Sequence, residues 1–341
     1  MRFSVVVPVF NRPDEVNELL ESLTRQTLKD FEVIIVEDGS TIPCKEVCSR
    51  YDNKLHLIYI IKENSGPGQS RNCGASRASG DFLLILDSDV VLPEGYLKAV
   101  SDDLDSDYAD AFGGPDRAHA SFTPVQRAIS YSMTSFFTTG GIRGGKKKLD
   151  KFYPRSFNMG IRKSVYEQLG GFSNMRFGED IDLSIRIFKG GYKCRLFPEA
   201  WVWHKRRTDF RKFYRQVYNS GIARINLYKK YPESLKAVHL LPAVFTVGTA
   251  LCLLTALVGV FFIPKGIFLP TLLALAPLAL YSLVIFIGSS IQNRSLKVGL
   301  LSIPAAFVQL TGYGMGFINA WWKRCVMGKD EFSAFNKTFY K

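Results

Sequence analysis

Two groups of carboxylates have the type and spacing to do chemistry. Asp87-Ser88-Asp89 follows the apolar run Leu83-Leu84-Ile85-Leu86. Two carboxylates one residue apart at a strand end can share a divalent hard cation. Such a cation neutralises a diphosphate and stabilises it as a leaving group. A D-x-D pair alone is commonly a solvated turn; its position after a buried strand gives this one weight. The second group, Gly178-Glu179-Asp180-Ile181-Asp182, opens a helical pattern ended by Gly190-Gly191. A carboxylate in a first helical turn faces the positive end of the helix dipole and stays ionised, so this pair suits either an N-terminal cap or a general base. His204 follows Trp201-Val202-Trp203 and suits either packing or a third metal ligand.

The elements that must position these groups alternate strand and helix. Residues 4–9 form a short β-branched run of the kind a buried parallel strand requires. Asn11 is expected to cap a helix with Pro13 in its first turn and an apolar face of Val16, Leu19, Leu20 and Leu23. Strands are expected at 31–36, 55–61 and 81–86, with a helix from Gly66-Pro67-Gly68 to about Ser79. Such repeats predict an α/β fold with a parallel sheet covered by helices on both faces. Ligands of these sheets sit at the carboxyl ends of the strands, where Asp38 and Asp87 fall. Later, Ile181, Ile185 and Phe188 are expected to share the apolar face of the helix after Gly178. A dinucleotide oxidoreductase is excluded, because Pro8-Val9-Phe10-Asn11-Arg12-Pro13 stands where G-x-G-x-x-G would be needed.

Of the 341 residues, 47% are hydrophobic and 22% charged, and the average hides a split near Lys236. The part before it reads as a soluble α/β protein. After it come three apolar blocks, at about 238–263, 267–288 and 299–322, each long enough to cross a bilayer core of about 30 Å. The net charge of +13 suits an anionic partner. No nucleic-acid-binding motif is visible, so a lipid face or a phosphorylated substrate fits better. The six cysteines lack metal-site spacing and read as ordinary reduced thiols. The apolar run at 3–10 is too short for a signal peptide and is interrupted by Pro8, which implies a cytosolic catalytic part.

Taken together, these motifs resemble the inverting glycosyltransferases of family 2, with a GT-A fold. Val5-Val6-Val7-Pro8-Val9-Phe10-Asn11-Arg12-Pro13 is similar to that family's opening strand and turn, and Val36-Glu37-Asp38-Gly39-Ser40 to its second strand end. Gly66-Pro67-Gly68-Gln69-Ser70-Arg71-Asn72-Cys73-Gly74 resembles its third-helix entry, Asp87-Ser88-Asp89 its metal motif, and Gly178-Glu179-Asp180 its acid pair. The resemblance runs from about Phe3 to His204.

It implies a nucleotide-sugar site with Pro8, Phe10, Asp38, Arg71, Asp87 and Ser88. Asp38 would accept a hydrogen bond from a uracil-type base, Phe10 would pack against its ring, and Arg71 would pair with a phosphate. The family often has Thr and Tyr where Val9 and Phe10 stand here, so the contact would be stacking only. Asp87, Asp89 and His204 would hold Mn²⁺ or Mg²⁺. Asp180 would be the general base for single displacement with inversion, Glu179 would orient a sugar, and Asp182 would be structural. No Q-x-x-R-W motif follows Gln216, which argues against processive polymer extrusion. Lys146-Lys147-Lys148, with Arg155 beyond, reads either as a solvated loop or as a lid over an anionic ligand.

The implied architecture is a GT-A, Rossmann-like domain at 1–235 followed by a membrane domain at 236–341. Residues 1–105 would bind the nucleotide-sugar, and 106–235 would form the acceptor side and an interfacial segment around 210–221. The expected function is transfer of one sugar, from a UDP-sugar, to a hydroxyl of a lipid-linked or cell-surface glycan. A polyprenyl-phosphate acceptor is the alternative. Phosphate is already mostly ionised near neutral pH and needs no base, so the acid pair favours a hydroxyl. An inactive sugar-nucleotide-binding scaffold is a further alternative, disfavoured by intact Asp87, Asp89 and Asp180.

Expected partners are the donor, membrane lipid and a lipid-linked glycan, with no nucleic acid. The expected location is the inner cell membrane, multi-pass, with the catalytic domain on the cytoplasmic face. Lys323, Arg324, Lys329, Lys337 and Lys341 after the third block favour a cytosolic tail. Pro304, Gly312, Gly314 and Gly316 weaken a straight third helix. The first two blocks are therefore expected to span as a hairpin, with the third re-entrant or along the interface.

Overall fold

The run Phe-Ser-Val-Val-Val-Pro-Val forms β1 (Phe3–Val9), buried at nearly every position as a strand covered on both faces must be. The computed structural model describes residues 2–117, 122–139, 152–205, 207–261 and 268–332. After β1 come α1 (Pro13–Thr24), β2 (Phe31–Asp38), α2 (Lys45–Ser49), β3 (Leu57–Lys62), α3 (Pro67–Arg77) and β4 (Phe82–Leu86). Then follow β5 (Val90–Val91), α4 (Tyr96–Ser106), β6 (Ala111–Gly113), β7 (Asp116–Arg117), α5 (Pro124–Thr134) and α6 (Phe136–Thr139). β8 (Asn158–Arg162), α7 (Lys163–Gln168), α8 (Glu179–Lys189), β9 (Cys194–Leu196) and β10 (Val202–His204) complete the α/β part. The remaining helices are α9 (Phe210–Lys230), α10 (Leu241–Val260), α11 (Leu269–Asn293) and α12 (Leu296–Trp321).

By its own contacts the chain divides into two units. One holds Met1–Ala120 and Asp150–Lys205, the other Ser121–Leu149 and Arg206–Lys341. This division groups α5 and α9 with the apolar helices, whereas the sequence reading assigned them to the domain at 1–235.

In the first unit the main sheet has the order β3-β2-β1-β4-β8-β6-β9. Strands β1 to β4 are mutually parallel, and β8 runs antiparallel to β4 and β6. The chain builds outward from β1 to β3 and then returns to the other side of β1 with β4. The switch point between β1 and β4 is where such sheets open a ligand crevice. Alternate side chains of β1 feed two cores. Val5, Val7 and Val9 pack with Leu19, Leu23 and Leu97, and Val6 packs with Ile85, Leu183 and Ile187. Gly74 lets α3 approach the sheet, since a Cβ there would lie 2.5 Å from Val6 Cγ1.

One local expectation is corrected. Asn11 does not cap α1; it adopts φ 54°, and its Oδ1 accepts from the backbone N–H of Thr41 at 2.8 Å and of Ile42 at 2.9 Å. Asn tolerates this left-handed conformation better than most residues, and its amide ties the β2–α2 loop instead. In α8, Leu183 and Ile187 pack into the core on one face, and Ile185 is buried on the other, flanked by half-buried Ile181 and Phe188. Phe188 packs edge-on against Tyr153.

Among the described residues, the second unit contains three helices long and apolar enough to cross a membrane, Ala237–Val260, Leu269–Asn293 and Leu296–Val326. This marks the chain as membrane-associated. The expected weakening of the third does not occur: α12 is continuous through Pro304 and its glycines. Those glycines admit neighbouring helices. A Cβ at Gly312 would lie 2.6 Å from Val217, and one at Gly316 2.0 Å from the Tyr218 carbonyl oxygen.

Candidate active site

Every candidate site residue among the described residues is carried by the first unit. Lys146, Lys147 and Lys148 lie outside the described residues. Asp87 and Ser88 follow β4 directly, and a turn returns the Val90 N–H to the Asp87 carbonyl at 3.3 Å. β5 then pairs antiparallel with β10, in a register that sets His204 opposite Val90. The backbone N–H of Lys205 donates to the Asp89 carbonyl at 3.1 Å. This strand pairing, between residues more than a hundred positions apart, brings His204 to the D-x-D motif.

Asp87, Asp89 and His204 each present a ligand atom, and these atoms lie within 4.8 Å of one another. His204 Nε2 is 3.2 Å from Asp89 Oδ1. The His204 ring stacks on Phe157 with centroids 4.7 Å apart, and its buried Nδ1 has no hydrogen-bond partner. Two carboxylate oxygens and an imidazole nitrogen fit a divalent cation of the Mn²⁺ type, which accepts mixed N and O donors, better than Mg²⁺, which favours oxygen and water.

Arg71 is the hub between the two acid groups. Its guanidinium, 3% exposed, donates from Nη2 to Asp87 Oδ1 at 2.7 Å and from Nη1 to Glu179 Oε1 at 2.9 Å. It also lies 5.1 Å from the Phe172 ring centroid. Burial works against its charge, and Asp87 and Glu179 outweigh that effect. These pairs use two of its five N–H donors, and the buried Nε has no hydrogen-bond partner.

Gly178 caps α8 with φ 86°, a conformation that suits glycine, and the next two residues carry the acid pair. Burial pushes the Glu179 carboxyl up to about 7, against the pull of Arg71 and with the help of neighbouring Asp180. The first-turn position alone would keep it ionised, and desolvation reverses that expectation. Asp180 is more open. Its Oδ1 accepts from the Ile181 N–H at 2.8 Å, and Oδ2 lies 3.5 Å from Arg155 Nη1. Asp182 is fully buried and pairs with Arg186 at 2.7 Å, a structural tie within α8.

Asp38, at the end of β2, is 4% exposed. Its Oδ1 accepts from Lys62 Nζ at 2.6 Å and from the Ser65 N–H at 2.9 Å, and its Oδ2 from the Gly66 N–H at 2.9 Å. The carboxylate therefore shapes the loop that enters α3. Beneath it, buried Glu37 accepts from Ser40, Tyr59 and both the N–H and thiol of Cys44. Pro8 and Phe10 are half-buried at the end of β1.

The sequence reading missed Arg12. Its Nη1 donates to Asp89 Oδ2 at 2.6 Å, so Asp89 is shared between Arg12 and His204. The available signal was topological: Arg12 follows β1, the neighbour of β4, at the switch point.

Residues 4–170 match the family model Glycosyl transferase family 2. The chain is 38% identical over 114 residues to poly(ribitol-phosphate) beta-N-acetylglucosaminyltransferase TarS of Staphylococcus aureus, covering 32% of this chain and 20% of that protein. It is 27% identical over 226 residues to the probable glycosyltransferase YdaM of Bacillus subtilis, covering 63% of this chain and 53% of that protein. The chain thus spans only a fifth to about half of these relatives' length. Among solved structures, a mannosyltransferase from Pyrobaculum calidifontis in complex with GDP-Man and Mn²⁺ has TM-score 0.58 at 16% identity. It covers 95% of this chain and 88% of that one, a likeness of fold. The GT-A-like sheet, the ordered motifs and the match over residues 4–170 place this part of the chain in glycosyl transferase family 2.

Proposed function

We propose that the chain transfers one sugar from a UDP-sugar to a hydroxyl of a lipid-linked or cell-surface glycan, with inversion, at the cytoplasmic face of a cell membrane. The observation that carries this reading is the bridge of Arg71 between Asp87 and Glu179. It joins a three-donor cation site to an acid pair in one buried network. The relatives named for sugar transfer to poly(ribitol-phosphate), which bears free hydroxyls, support a hydroxyl acceptor. The apolar helices support an acceptor held at a membrane.

In this reading Asp87, Asp89 and His204 hold Mn²⁺ or Mg²⁺. When bound, the ion supplies charge neutralisation for the departing nucleoside diphosphate. Arg71 acts by position: it fixes Asp87 and Glu179 so that neither carboxylate turns away. Asp38, with Lys62, shapes the pocket for the base, and Phe10 stacks on it with Pro8 alongside. Ser88 keeps the turn between the two metal-binding carboxylates. Asp180 takes the proton of the acceptor hydroxyl as that oxygen attacks the anomeric carbon, and Glu179 orients the sugar.

The test is a panel of nucleotide-sugars on the detergent-solubilised protein, with and without Mn²⁺. A ligand at a hundred times its Kd stabilises by about 2.7 kcal/mol. UDP-sugars are expected to raise the melting temperature only when the cation is present. A panel in which no UDP-sugar does so would contradict the reading.

A further inference from the structure

α12 has the length to cross a bilayer, yet its neighbours describe another course. α10 and α11 form an antiparallel hairpin. At its far end a Cβ on Gly259 would meet Thr271 Oγ1 at 2.3 Å, and near its base the rings of Phe245 and Tyr281 lie 5.1 Å apart. Along α12, the contact point first climbs α11 and then descends α10. Ser302 Oγ is 2.6 Å from Ser289 Oγ, Ala306 packs on Ile285, and the Phe307 ring is 5.6 Å from Tyr281. Phe307 is also 5.6 Å from Phe245. Thr246 Oγ1 then donates to the Leu310 carbonyl at 3.4 Å, and a Cβ at Gly314 would lie 2.4 Å from the Pro242 carbonyl. A helix spanning beside the hairpin would continue toward its tip. α12 instead crosses the hairpin at Phe307 and leaves toward its base.

The outer stretch of the hairpin stays bare. Leu251, Leu254, Leu257, Leu269, Leu272 and Leu273 are all more than half exposed. Only 11% and 6% of the first two apolar windows are buried, against 44% of the third.

What covers the second half of α12 is a helix that cannot lie in hydrocarbon. α9 carries Arg211, Lys212, Arg215, Arg224, Lys229 and Lys230, and each such charge at the centre of a bilayer costs about 2.5–3.5 kcal/mol or more. It runs alongside α12 from Val217 at Gly312 to Tyr228, whose ring stacks on Trp321 at 6.0 Å. Beyond α12, Arg324 donates to Asn226 Oδ1 at 2.8 Å, and Asn226 Nδ2 donates to the Phe332 carbonyl at 3.2 Å. The chain after α12 thus returns to α9. α9 in turn precedes α10 with no apolar segment between it and the α/β unit.

We infer that the chain crosses the bilayer twice, through α10 and α11. α12 lies along the headgroup interface against α9, and the tail emerges on the side that holds residues 2–205. The occupant of the bare hairpin surface is lipid. This arrangement keeps Arg294, Lys297, Lys323, Arg324 and Lys329 on one face, as the bias of basic residues requires. It stands independently of the sugar donor or acceptor.

The experiment uses cysteine reporters in full-length protein, with Cys73, Cys194, Cys252 and Cys325 replaced by Ser and only the buried Cys44 and Cys48 left in place. Lys98→Cys marks the α/β unit, Phe268→Cys the tip of the hairpin and Asp330→Cys the tail. In sealed vesicles treated with an impermeant maleimide, Asp330→Cys is expected to label from the same side as Lys98→Cys, and Phe268→Cys from the opposite side. Labelling of Asp330→Cys together with Phe268→Cys would establish three crossings and overturn the inference. Labelling of Phe268→Cys together with Lys98→Cys would overturn it by removing the hairpin crossing. If the tail variant fails to accumulate, the protein with Cys325 restored and Cys73, Cys194 and Cys252 still replaced by Ser reports the same side.

Discussion

Arg12 and Asp89, separated by 77 positions, form a 2.6 Å ion pair at the mouth of the crevice between β1 and β4. The other oxygen of the same carboxylate faces His204. Asp89 therefore has a cationic partner of its own beside its role in the proposed metal site, and a divalent ion entering there meets the charge of Arg12.

Removing that charge should favour the ion. Arg12→Gln is expected to tighten Mn²⁺ binding in the absence of nucleotide by roughly two- to fivefold, the range of a partly exposed pair. Electron paramagnetic resonance titration of free Mn²⁺ measures it. Weaker binding in the variant would mean that Arg12 orients Asp89 for the ion rather than competing with it.

Arg71 concerns stability as much as the site. Arg71→Met leaves Asp87 and Glu179 facing each other without their shared cation, and breaking a buried pair in this way costs about 3–5 kcal/mol. Chemical denaturation of the solubilised protein should show it. A single variant as stable as the parent would contradict the bridging role.

Much of this site was legible in the sequence, and the limits were physical. Val5, Val6 and Val7 marked β1 by β-branching in an unbroken apolar run, and Asp87 and Asp89 stood at the end of an equally plain strand. Arg12, by contrast, reads locally as a turn residue, and only the adjacency of β1 and β4 turns it toward Asp89. Burial was also out of reach. Glu179 looked like an ionised first-turn carboxylate, and its raised pKa follows from packing beneath Arg71 and beside Gly68, a neighbour distant in sequence. The glycines of α12 looked like weaknesses because their value lies in the helices they admit.

Glu32 makes a separate, acid-side prediction. Burial alone would push its carboxyl up. Hydrogen bonds from Ser4 Oγ and from the N–H and Oγ of Ser79 outweigh that and hold it below its usual value. A lowered carboxyl contributes stability that is present above the unfolded value, near 4.5, and lost as pH falls through the folded value. Glu32→Gln should reduce neutral stability by about 1–2 kcal/mol and flatten the acid side of the stability curve below pH 4.5. Denaturant midpoints across pH check it, and an unchanged acid limb would contradict it.

Asp89→Ala should abolish the cation dependence of nucleotide-sugar binding, since the proposed site loses a donor between Asp87 and His204. Calorimetry with and without chelator measures this. A variant that binds donor as tightly as the parent in Mn²⁺, and loses that binding on chelation, would remove Asp89 from the metal site.

The most direct test of the account is Asp180→Asn, assayed for donor binding and sugar transfer in the same preparation. The asparagine keeps the shape of the first turn of α8 but cannot accept the acceptor's proton. Binding of the UDP-sugar with Mn²⁺ should be unchanged, while single-turnover transfer falls on the order of 10²–10⁴-fold. Transfer at near the parental rate, with binding intact, would contradict the assignment of Asp180 as the base.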